Sequence, residues 1–263
     1  MLRKLDKLIT ILTVVIALCT LACIASIIML LVKGFDTEIK SHSSDDGGGK
    51  NEIQVTLSPT PDYGQSYIDS MIFICDSTLA DITKYPLLSG GTGTRQIWTN
   101  AGRDLPLEYT LDSSTVIFPE TNSEILISDA AKTKKPAYAV ITLGINNGVP
   151  HCTEQSFKQY YSKLVSAIQE ASPDTKIILQ SIFPVSKEKE KSTANVSNAK
   201  IDTANTWIKE IAESLEVRYL DTASALKDAK GCLSSDYDSG DGLHLNQEGY
   251  AKVIEYIRTH GYK

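Results

Sequence analysis

Met71-Ile72-Phe73-Ile74-Cys75-Asp76-Ser77-Thr78-Leu79 places five apolar residues directly before a polar pair. An uninterrupted apolar run of this length suits a strand buried on both faces. Similar runs recur downstream. Ala137–Leu143 (AYAVITL) and Lys176–Gln180 (KIILQ) are the plainest, while Gln96–Thr99 and Val217–Leu220 are shorter and weaker. Between them lie segments with apolar residues at helical spacing. Ser156–Ala171 carries Phe157, Tyr160, Tyr161, Leu164, Val165 and Ile168. Ile201–Leu215 carries Ala204, Trp207, Ile208 and Ile211, and Glu248–Thr259 carries Val253, Ile254 and Ile257. Apolar strands alternating with amphipathic helices predict an α/β fold, a parallel sheet covered by helices on both faces. Ser114–Pro119 and Glu124–Ile127 are expected to form a hairpin-like insert. The alternating charges of Lys187–Lys191 read as a solvated loop.

The 263 residues divide unevenly. The first seven read as a cytoplasmic tail, 8–32 as a membrane anchor, 33–66 as a flexible linker and 67–263 as the catalytic domain. Leu8–Val32 holds 25 residues without a charge, proline or glycine. At about 1.5 Å per residue it is long enough for a hydrocarbon core of roughly 30 Å. Arg3, Lys4 and Lys7 precede it, which orients the body outward. A cleaved signal peptide is the rival reading, but its apolar part usually spans about 7–15 residues. Ser41–Lys50 (SHSSDDGGGK) has linker composition. The formal charge is −6, with +2 in residues 1–40 and −8 in the rest. So acidic a body argues against nucleic acid as a partner.

In a parallel α/β sheet, chemistry sits beyond the carboxyl ends of the strands. Three polar segments follow strands or precede a helix in the required way. Asp76-Ser77 follows the first strand and opens a helix, where Ser77 would stand as a nucleophile or either residue would serve only as a cap. Gly144-Ile145-Asn146-Asn147 follows the third strand, and an asparagine amide there suits an oxyanion. Asp241-Gly242-Leu243-His244 precedes the last helix, and an Asp beside a His can orient it as the base for a serine hydroxyl. The alternative is a packed histidine beside an Asn246 helix cap.

Together these segments resemble the SGNH, or GDSL-type, hydrolase family. Its Gly-Asp-Ser block corresponds to Cys75-Asp76-Ser77 and its second-strand glycine to Gly102. Its Gly-X-Asn-Asp block corresponds to Gly144-Ile145-Asn146-Asn147, and its Asp-X-X-His block to Asp241–His244. Ser181–Val185, after the fourth strand, also looks like the family. Cys75 and Asn147 depart from the pattern. The resemblance implies a three-layer flavodoxin-like fold and a catalytic set of Ser77, Asp241 and His244. It implies an oxyanion hole from the amides of Ser77 and Gly102 with the Asn146 side chain. It implies no cofactor and no metal.

Anchor and motif set together lead to the expectation of a membrane-anchored, extracytoplasmic serine esterase. Its substrates would be short acyl esters, acetyl foremost, on a small molecule, carbohydrate or cell-wall polysaccharide. The alternatives are an acyltransferase on cell-wall glycan and a surface binding protein on the same fold. Five cysteines are present, and the three outside the apolar run show no metal-ligand spacing. Cys152 and Cys232 fall on loops expected at the same sheet edge, where they either pair or remain free thiols.

Overall fold

The computed structural model describes residues 54–262 except Tyr109. The expected anchor at 8–32 and most of the expected linker lie outside the described residues. Among the described residues no helix is long and apolar enough to cross a membrane.

The chain enters through α1 (Gly64–Asp69) and β1 (Met71–Cys75), then the short α2 (Ser77–Ala80) and β2 (Ile97–Trp98). A hairpin of β3 (Thr115–Phe118) and β4 (Ser123–Leu126) follows, then α3 (Ile127–Lys134) and β5 (Tyr138–Thr142). Next come α4 (Gly148–His151), α5 (Glu154–Ala171), β6 (Lys176–Gln180), α6 (Lys187–Ser192) and α7 (Asn198–Ser214). The remainder is β7 (Arg218–Leu220), α8 (Ala223–Leu226) and α9 (Gln247–Thr259).

Five strands form one parallel sheet in the order β2-β1-β5-β6-β7, the flavodoxin-like order. Every residue of β1 is buried. Because successive side chains point to opposite faces, Ile72 and Ile74 enter one core while Met71, Phe73 and Cys75 enter the other. The first core also takes the buried stripes of α3, α5 and α7, and the second those of α1 and α9. That is three layers. Phe157, Tyr161, Leu164, Val165 and Ile168 form the stripe of α5. Each such fully buried apolar side chain contributes about 1.5–3 kcal/mol. Thr153 and Ser156 close the N-terminus of α5 as a reciprocal capping box. A buried relay ties the carboxyl ends of the inner strands: Thr142 Oγ1 donates to Gln180 Oε1, and Gln180 Nε2 donates to Thr222 Oγ1, each at 2.7 Å.

Two expectations are corrected, and one open alternative is decided. The domain begins before residue 67. Val55 and Leu57 are buried, and residues 55–57 run parallel to β7 through Tyr219 N to Val55 O and Leu57 N to Tyr219 O. Free edge amides of β7 and two apolar side chains draw this part of the expected linker into the sheet. Lys187–Ser192 is helix α6 rather than loop. It has no apolar stripe to betray it, and Ser186 caps it by accepting from Lys189 N at 3.1 Å. Cys152 and Cys232 do not pair: both are free. The Cys152 thiol lies against the carbonyls of Asn147 and Leu107, while the Cys232 backbone is held in a turn by the Asp228 carboxylate.

Candidate active site

The order of the sheet reverses between β1 and β5, and the loops leaving these two strands part there to leave a crevice. Ser77 stands on one side, at the first turn after β1. Asp76 holds this turn as the N-cap of α2, its carboxylate accepting from Thr78 N at 3.1 Å and Thr78 Oγ1 at 2.6 Å. The same carboxylate accepts from the amides of Gly144 and Ile145, so it also fixes the loop after β5. Both readings of Asp76-Ser77 therefore hold at once: Asp76 is the cap, and Ser77 is left half-buried at the crevice. Burial pushes the Asp76 carboxyl up to about 6, against the pull of those hydrogen bonds.

His244 arrives from the loop before α9. Its Nε2 lies 3.2 Å from Ser77 Oγ, and its Nδ1 lies 2.6 Å from Asp241 Oδ2. The other Asp241 oxygen accepts from the amides of Leu243 and His244 at 2.9 and 2.8 Å. Burial alone would raise the Asp241 carboxyl, but the His244 ring and those two amides outweigh it and hold it well below the usual carboxylate range. An Asp and a His three residues apart can serve one serine because the chain folds back at Gly242. This glycine has φ +76°, and a Cβ on it would come within 2.3 Å of Ser186 Oγ. Its carbonyl accepts from Ser186 N at 2.8 Å, which docks the loop on the start of α6.

Asn146 lies beside Ser77 in a cavity of about 410 Å3 whose walls include Ile145, His151, Lys189 and Leu243. One Asn146 amide hydrogen goes to the carbonyl of Asp104 at 2.6 Å. The side chain carries two hydrogens, so one remains for an oxyanion. Gly102 is not brought into this cavity. It sits in the exposed turn after β2, joined to the Asn146 loop through Asp104 and through Leu107 N to Asn146 O at 3.1 Å.

Both departures from the family pattern have local explanations. Cys75 is fully buried at the end of β1, where a small apolar side chain packs without strain and burial pushes the thiol up. Asn147 has φ 63°, a left-handed conformation that asparagine tolerates, and its amide donates to Leu107 O at 3.2 Å. Lys189 and His151 went unnoticed in the sequence as site residues. Only the packing of α6 and α4 puts them on the cavity wall. Among the described residues no cluster of three or more His, Cys, Asp or Glu side chains could hold a metal ion.

Residues 90–252 match the GDSL-like lipase/acylhydrolase family. That span covers more than half of the chain and includes Asn146, Asp241 and His244. Ser77 lies ahead of it and is joined to it by the pairing of β1 with β2 and β5. A solved structure provisionally named as a platelet activating factor from Streptococcus pneumonia is similar at 22% identity. The match covers 71% of this chain and 81% of that one, with a TM-score of 0.53. A GDSL-like lipase from Bacteroides thetaiotaomicron matches at 17% identity over 70% of this chain and 83% of that one, TM-score 0.42. A catalytic mutant of an acetylxylan esterase from Geobacillus stearothermophilus matches at 19% over 73% and 94%, TM-score 0.42. No curated protein sequence matches the chain. The family match and the parallel α/β fold lead to one conclusion: this chain belongs to the GDSL-like lipase/acylhydrolase family and is a carboxylic ester hydrolase.

Proposed function

We propose that this chain is a membrane-tethered serine esterase acting outside the cytoplasm, and that it removes short acyl groups, acetyl foremost, from carbohydrate or cell-wall polysaccharide. The observation that carries the mechanism is the 3.2 Å approach of His244 Nε2 to Ser77 Oγ, with Asp241 on the other ring nitrogen. His244 takes the Ser77 proton as Oγ attacks the ester carbonyl carbon. Negative charge grows on the carbonyl oxygen, which the Ser77 amide and the Asn146 side chain would receive. Collapse breaks the ester C–O bond, and the leaving alcohol takes the proton from His244. Water, deprotonated by His244 in turn, attacks the acyl-serine and releases the acid. Asp241, held ionised, keeps the ring in the tautomer with its free nitrogen toward Ser77.

A short acyl group fits the modest cavity, which must hold parts of both acid and alcohol. The tether rests on the 25 uncharged residues Leu8–Val32 behind Arg3, Lys4 and Lys7. The test is fluorophosphonate labelling of the full-length chain in neutral detergent. Ser77 should carry the label, and Ser77→Ala should abolish both labelling and ester hydrolysis. Hydrolysis by Ser77→Ala within roughly tenfold of the wild type would remove Ser77 from the mechanism. For topology, protease added to intact cells should digest the domain. Protection until lysis would reverse the orientation.

A further inference from the structure

We infer that Lys189, with His151 on the same cavity wall, makes this esterase favour substrates that carry a carboxylate a few bonds from the ester, such as acylated sugar acids. The inference deepens the serine esterase reading and rests on it.

The position of Lys189 is built by the fold. Ser186 caps α6 and donates its own amide to Gly242 O, so the helix is fastened to the loop that carries Asp241 and His244. The Lys189 stem runs against that loop, since a Cβ on Gly242 would come within 2.9 Å of Lys189 Cβ. Lys189 therefore reaches the cavity beside Ser77 from a fixed base. Its neighbours do not neutralise it. Glu190 is engaged by Lys187 and by Asn198 Nδ2, each at 3.3 Å, and Lys189 forms no ion pair among the described residues.

No Asp or Glu side chain lines the cavity, while Asn147, His151 and Thr193 add polar groups to its wall. Outside the first 40 residues the chain carries −8. A cationic, carboxylate-free pocket in so acidic a body is the reverse of what composition would supply. An ammonium partly shielded from water and lacking a partner attracts a substrate anion, and the surrounding acidic surface repels anions that cannot reach it. The cation stands off the reacting carbonyl, so its effect belongs mainly in KM rather than kcat.

The experiment compares two acetate esters of nearly equal shape, 4-acetoxybenzoate and the neutral 4-acetoxybenzamide, with the full-length chain in neutral detergent at low salt. The readout is the ratio of their kcat/KM values, anion over amide. Lys189→Met should lower this ratio about three- to tenfold through KM, and Lys189→Glu should lower it further. Lys187→Met, which makes the same change in net charge outside the cavity, should leave the ratio within about twofold. Rising salt should erode the wild-type ratio but not that of Lys189→Met. If both esters are hydrolysed and Lys189→Met leaves the ratio at the wild-type value, or Lys187→Met moves it equally, the charge selection is wrong while the esterase reading stands. If neither ester is hydrolysed and Ser77 does not take up a fluorophosphonate, the esterase reading fails and the selection falls with it.

Discussion

The hydroxyl of Tyr250 donates to the carbonyl of Thr78 at 2.7 Å, buried between α9 and the turn that presents Ser77. The bond crosses 172 residues of chain. It fastens the helix that begins just after His244 to the segment that carries Ser77. Burial pushes the Tyr250 phenol up, so the group stays a neutral donor.

Tyr250→Phe removes this bond together with the one that the phenol oxygen accepts from the Leu245 amide. It should cost about 1–2 kcal/mol of stability, since the Thr78 carbonyl loses a buried donor. It should also lower kcat several-fold with little change in KM, because the Ser77–His244 distance is no longer fixed from both ends. Denaturant unfolding and steady-state kinetics on the same preparation check this. Equal losses of kcat and of folded fraction would reduce Tyr250 to a packing residue.

Asn146 and Asn147 are adjacent but should differ in their effects. Asn146→Ala should lower kcat about a hundredfold or more with a smaller effect on KM, as loss of an oxyanion donor does. Asn147→Ala should act mainly on stability, because it places alanine at a positive φ and removes the bond to Leu107 O. Michaelis constants and unfolding midpoints of both variants decide. A larger kcat loss in Asn147→Ala would mean that the donor is misassigned.

Gly242→Ala should damage both the fold and the chemistry. The left-handed φ costs about 1–2 kcal/mol for a residue with a Cβ, and the new carbon would press on Ser186 Oγ and Lys189 Cβ. The loop can relieve the contact only by moving Asp241 and His244. The expected result is a lower unfolding midpoint and a kcat reduced at least tenfold, since displacements of about 1 Å are felt in catalysis. An alanine variant with unchanged kcat would show that the loop tolerates the shift.

Asp76 gives a prediction with a definite sign. Its carboxyl is pushed up to about 6 in the folded chain, against about 4 in an unfolded one. The folded state therefore holds this proton more tightly. The resulting stability is present in full below about pH 4 and is lost as pH rises through about 6, on the order of 3 kcal/mol in total. Unfolding free energies of wild type and Asp76→Asn, measured between pH 4 and 7, isolate the effect. The wild type should lose stability relative to the variant as pH rises, and a difference that stays constant or grows would contradict the assignment.

The strand runs Met71–Cys75 and Lys176–Gln180 were legible to the residue, because a strand buried on both faces must be apolar without interruption. The long helices were legible from their stripes, with ends displaced by up to three residues where capping by Thr153 or Ser197 set the boundary. Ser77, Asn146, Asp241 and His244 were readable because each follows a strand or precedes a helix in the family's order. Helix α6 was hidden, since five residues of alternating charge and a serine carry no periodic apolar signal. Residues 55–57 were hidden for a related reason: their place beside β7 depends on backbone hydrogen bonds, which side-chain composition does not encode.

By itself, then, the sequence determined the layers of the sheet and named the candidate reacting groups, because burial and strand-end position leave marks in local composition. Tertiary structure alone decided that His244 Nε2 meets Ser77 Oγ, that Cys152 and Cys232 stay apart, and that Lys189 stands over the cavity. Those are distances between segments remote in the chain. They are fixed by how α6 and α9 dock on the sheet, and no local pattern of residue types specifies a docking distance.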